Sequence, residues 1–161
     1  MKRSFVALLA ALPLTAFAGD VLTERNIGAD LAMDIARATV QSCREQGYQT
    51  SAVVVDRHGN LRAALRDDLA TRFTLEIAER KANMAAMSGV DTGEFRKSRE
   101  DIHHDLNNIS GLIVMEGGVP ILAAGARIGA IGVSGAPGGK LDADCAIKAM
   151  ESLAERLEFA E

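Results

Sequence analysis

Three groups of residues in this chain have types and spacings suited to chemistry: the histidines His58, His103 and His104; the amine Lys81; and the glycine-rich run 129–139 leading to Asp142 and Asp144. His103 and His104 are adjacent. On a helix, neighbours point about 100° apart, so the pair cannot grip one small ion from a single face, and a two-histidine zinc site normally uses i and i+4. One of them alone suits an axial bond to a metal already held by a large ligand. His58 falls in a tight turn, where a solvated polar tip is the ordinary role. Lys81 follows Ala78 by three residues and borders the packed side of its helix, where an amine either reaches a ligand carboxylate or snorkels to solvent. With Arg66, Arg72 and Phe73 nearby, the surroundings suit a large, flat dianion.

Other chemistries fit poorly. Asp67–Asp68 and Asp142–Asp144 lack the alternating oxygen ligands of a calcium loop and read as turn and helix-start carboxylates. Ser134 lies in Gly-Val-Ser-Gly, which is not the Gly-x-Ser-x-Gly of a nucleophile elbow. The run 129–139 is neither a dinucleotide fingerprint, since no further strand follows its helix, nor a P-loop, since Gly-Lys-Ser/Thr is absent. Backbone closeness is what such glycines do provide. The turn and the helix start near Leu141 form a candidate cradle for a small organic acid.

These residues must be positioned by a chain of 161 residues with 18 basic and 22 acidic side chains. Lys2 and Arg3 precede an apolar run over 5–14, and Ala16-Phe17-Ala18 supplies small residues where a signal peptidase reads them, so 1–18 is expected to be a secretory signal peptide. That run is too short to span a bilayer. Cleavage after Ala18 removes 18 of the 161 residues, leaving 19–161 as a single 143-residue domain. It keeps 16 basic residues against 22 acidic, a net charge of −6 that disfavours nucleic acid and anionic membrane as partners. A periplasmic or secreted location makes Cys43 and Cys145 a candidate disulfide, the alternative being two separate buried thiols.

Patterning predicts a helix from a Thr23 cap to Gln46, stopped by Gly47, then a hairpin of strands over 51–55 and 61–65 around the turn 56–60. A helix over 71–87 follows, with a small-residue face at Ala78, Ala82, Ala85 and Ala86. Asp91 can cap the next helix, with Glu94 three residues on, and a polar segment runs over 102–108. Strands are then expected over 112–115, 120–124 and 127–134, before a last helix. The order predicts an α/β (α+β) fold: one antiparallel sheet of about five strands with helices packed on it.

Val53-Val54-Val55-Asp56 with Gly59 and Leu61, Lys81-Ala82, Gly117-Gly118-Val119-Pro120-Ile121, and residues 129–139 with Asp142 and Cys145-Ala146 together resemble the GlcG/HbpS haem-binding family, also called PduO C-terminal-like. The resemblance extends from about Leu22 to Leu157 and implies a single α/β domain assembling into homo-oligomers. It implies haem or a related small molecule as ligand. Lys81 and the pair Gly117-Gly118 align with family features and become expected pocket or interface elements. Where exported members similar to this chain read Gly-Pro-His-Thr, this one has Thr71-Arg72-Phe73-Thr74, so Phe73 replaces a histidine. Iron is then expected on His103 or His104, or on no strong ligand at all, propionates on Lys81, Arg72 or Arg96, and Phe73 as a flat contact, with binding and no turnover. Two further readings remain: an enzyme or accessory acting on a small organic acid, and a structural oligomer without ligand.

Overall fold

The computed structural model describes residues 22–159, so the expected signal peptide lies outside the described residues. The elements in chain order are α1 (Ala29–Glu45), β1 (Ser51–Asp56), β2 (Leu61–Arg66), α2 (Phe73–Ser88), α3 (Thr92–Ser98), α4 (His103–Leu106), β3 (Gly118–Ala123), β4 (Ala126–Ser134), α5 (Gly139–Ser152) and α6 (Ala154–Glu158). The strands form one sheet in the order β2-β1-β4-β3, every pair antiparallel.

Alternation along the strands divides the core. Ala52 and Val54 of β1 and Ile131 and Val133 of β4 point toward Ile35, Ala36 and Val40 of α1 and toward Ala146 of α5. Val53, Val55 and Ala130 point the other way, onto Ala78, Ala82, Ala85 and Ala86 of α2. The alanine stripe lets α2 approach until backbone meets backbone. A Cβ at Gly132 would stand 1.9 Å from the Ala78 carbonyl oxygen and 2.6 Å from the Ala82 nitrogen, so only glycine fits this position of β4.

On the opposite face, Cys43 of α1 and Cys145 of α5 are joined by a disulfide, with Cα atoms 5.3 Å apart and a sequence separation of 102. In the chain-entropy model, closing a loop of this length contributes roughly 4–5 kcal/mol. Asp91 caps α3 by accepting from the Gly93 and Glu94 amides at 2.7 and 3.1 Å.

Two expectations are corrected. Among the described residues the sheet has four strands, because 112–115 pairs with no strand and runs as irregular chain into β3. Val114 is buried nonetheless, and its amide donates to the Asn107 side-chain oxygen at 2.7 Å. The first helix starts at Ala29, not at Thr23. Ahead of it, the Ile27 amide donates to the Ile128 carbonyl at 3.0 Å, which ties the entering chain to β4 in extended form.

Candidate functional site

Lys81 is only 2% exposed, on the sheet side of α2. Its ammonium donates to the Val133 carbonyl and to Asp142 Oδ2, both at 2.8 Å. Asp142 lies in the first turn of α5, where the helix dipole favours a carboxylate, and its other oxygen accepts from the Ala136 amide at 3.0 Å. Burial pushes this carboxyl above its ordinary value, and Lys81 pulls it partway back. The double glycine makes room for the pair. Gly117 has φ +120°, and a Cβ there would lie 2.8 Å from Lys81 Nζ; one at Gly118 would lie 2.3 Å from the Lys81 carbonyl oxygen.

Lys81, Gly117 and Gly118, expected as pocket or interface elements, come together around a carboxylate of the same chain. The reading of Lys81 as a propionate partner is corrected, because Asp142 and Val133 occupy its ammonium inside the core. Asp142, read from sequence only as a cap, is its buried counterion. The glycine-rich turn, expected as a cradle for a small acid, has its Ala136 amide engaged by that same carboxylate.

Arg72 and Phe73 lie at the other end of α2, eight residues or about 12 Å along the axis from Lys81. The Arg72 guanidinium stacks on the exposed Phe73 ring at 4.2 Å from its centroid.

The two histidines occupy the short α4, their rings edge-on with centroids 4.3 Å apart. His104 is exposed and His103 half-buried. His103 lines an open cavity of about 270 Å³ with Arg96 and Lys97 of α3, Glu100 and Glu116. Gly93 forms its floor, where a Cβ would meet Glu116 Oε1 at 2.8 Å. An imidazole, two cations and two carboxylates thus share one concavity; the imidazole can ligate iron, and the cations can pair with acidic substituents or with the two glutamates. Arg96 and His103 were candidates from the sequence; Lys97, Glu100 and Glu116 were not, and only the return of the chain before β3 brings Glu116 to α3.

His58 is held elsewhere, its Nε2 2.6 Å from Glu24, and this bond keeps the Glu24 carboxyl below its ordinary value. The turn beneath it is built by Asp56, whose Oδ1 accepts from the His58 and Asn60 amides, each at 2.9 Å. Beside that turn opens a larger cleft of about 480 Å³ containing Asn83, Met87 and Arg127. Met84 is core filler, fully buried. Among the described residues, no group of three or more histidine, cysteine or acidic side chains is placed to hold a metal ion. No described helix is long and apolar enough to cross a membrane.

A four-stranded antiparallel sheet between α2 on one face and disulfide-linked α1 and α5 on the other defines an α+β protein, with a histidine-bearing cavity of mixed charge beside α3 and α4. The HbpS-like family, described as "Haem degrading protein HbpS-like", matches residues 27–151, and the chain belongs to that family. It is 30% identical over 112 residues to Protein GlcG of Escherichia coli strain K12, covering 70% of this chain and 84% of that one. The crystal structure of a double mutant of HbpS from Streptomyces reticuli is similar with a TM-score of 0.78 and 35% identity, over 89% of this chain and 98% of that one. The PduOC:Heme complex shares the fold with a TM-score of 0.70 and 23% identity, over 80% and 95% of the two chains.

Proposed function

We propose that this protein is an exported haem-binding protein that holds the tetrapyrrole at the α3–α4 cavity and releases it intact. His103 binds the iron, and Arg96 and Lys97 pair with the propionates. The observation that carries this reading is the meeting of His103, Arg96 and Lys97 in one cavity of a chain from a family described by haem. A tetrapyrrole is larger than 270 Å³, so the cavity holds one edge of it and a second copy of the chain, in a homo-oligomer, covers the rest. The signal-like residues 1–18 and the disulfide between Cys43 and Cys145 support export to the periplasm or beyond. The domain boundary at residue 19 follows from the same reading.

Haemin titration of the mature protein, followed by absorbance, tests this. A saturable Soret shift is expected in the wild type and in His104→Ala, and its loss in His103→Ala. Absence of saturable binding in the wild type overturns the haem reading. Decay of the Soret band to an open-chain tetrapyrrole overturns release of the ligand intact and assigns this chain the degradation that the family description names.

A further inference from the structure

Independently of the haem reading, we infer that the 480 Å³ cleft between the β1–β2 turn, the C-terminal half of α2 and the 109–112 loop is a binding site for a carboxylate that also carries a hydroxyl or amine donor on an apolar body. Three observations carry it.

The first is charge. The cleft is lined by Arg57, His58 and Arg127 and by no aspartate or glutamate, although the chain as a whole is acidic. His58 is engaged by Glu24, and Arg57 also feels that carboxylate. Arg127 has no ion-pair partner among the described residues. Its Nη1 abuts Gly89, where a Cβ would stand at 2.5 Å, so the guanidinium rests at the negative C-terminal end of α2.

The second is the pair of orphan polar atoms. Arg127 Nε and Asn83 Oδ1 are buried with no hydrogen-bond partner among the described residues, while the Asn83 amide nitrogen donates to the Gly111 carbonyl at 3.1 Å. Buried polar groups are nearly always paired, and leaving one unpaired is costly. One orphan is a charged donor and the other an acceptor. A carboxylate satisfies the first through the fork of the guanidinium, and a hydroxyl or amine satisfies the second. Both atoms are closed to solvent in this conformation, so Arg127 and Asn83 turn toward the cleft as the ligand enters.

The third is the rest of the wall: Met87 and Ile109 are half exposed, and Leu112 and Ala86 lie beside them. A purely polar anion would leave this surface wet; an apolar body covers it.

The experiment uses 3-phenyllactate as probe on the mature wild-type protein, followed by amide resonance shifts, with 3-phenylpropionate and 3-phenyllactamide as comparisons. Saturable shifts centred on Gly59, Asn83 and Gly111 are expected with phenyllactate. Loss of the hydroxyl weakens binding by about threefold to tenfold, and loss of the carboxylate charge by about tenfold or more. Arg127→Gln produces the charge-loss effect and leaves haemin binding unchanged. No saturable shift with phenyllactate in the folded wild type, or equal binding of all three compounds, overturns the site and leaves the orphan atoms to water. Because the ligand series is run on the wild type, a variant that folds poorly does not decide the result.

Discussion

Lys81 is tolerable in the core only because Asp142 and the Val133 carbonyl meet its ammonium. Removing one partner of such a pair strands the other charge, whereas replacing both with apolar residues is often near neutral. Lys81→Met is therefore expected to cost about 3–5 kcal/mol in urea unfolding, and Lys81→Met with Asp142→Leu to recover most of that loss. A single substitution costing under about 1 kcal/mol would show that the pair is not the lock it looks to be. At this scale the sequence was partly legible. The spacing of Lys81 from Ala78 placed it at the edge of the packed face, and Gly117-Gly118 signalled close approach. What they approach was not legible, because the 61 positions from Lys81 to Asp142 are closed only by the fold.

At the scale of elements, the alanine stripe of α2 and the glycines of β4 are complementary surfaces. Gly132→Val puts side-chain carbon where the Ala78 carbonyl and Ala82 amide already stand, so α2 must lift from the sheet. Overpacking of this kind costs about 1–3 kcal/mol where neighbours can yield, and here they are backbone. The expected result is a lower unfolding midpoint and loss of α2 amide protection in hydrogen exchange; an unchanged exchange pattern would contradict the close packing. Helices α1, α2, α3 and α5 and the β1–β2 hairpin were readable from apolar period, caps and turn residues, whereas the short α4 and α6 were not. The segment 112–115 was not either, since Leu112, Ile113 and Val114 carry a strand's composition but the Val114 amide pairs with the Asn107 side chain and not with a strand.

For the whole molecule, the disulfide joins the first and fifth helices over the face of the sheet that α2 does not cover. Substituting both cysteines with alanine, or reducing the bond, is expected to lower stability by about 2–5 kcal/mol, read as a fall in the thermal midpoint. If reduction leaves the midpoint unchanged, the packing of α1 on α5 suffices without the bond.

The sequence by itself determined the family, the α+β class and the order of the longer elements, because period, turn chemistry and ordered motifs are local properties of the chain. It also supplied both cysteines, though not their union. Tertiary structure decided which candidates share a site. His103 meets Arg96 and Lys97, Lys81 turns inward to Asp142, Arg72 stacks on Phe73 at the far end of α2, and Asn83 and Arg127 line a cleft that no motif marked. The physical reason is that a side chain's partner is set by the direction of its Cβ and the crossing of distant elements, and neither is written in residue spacing once the chain has turned back on itself.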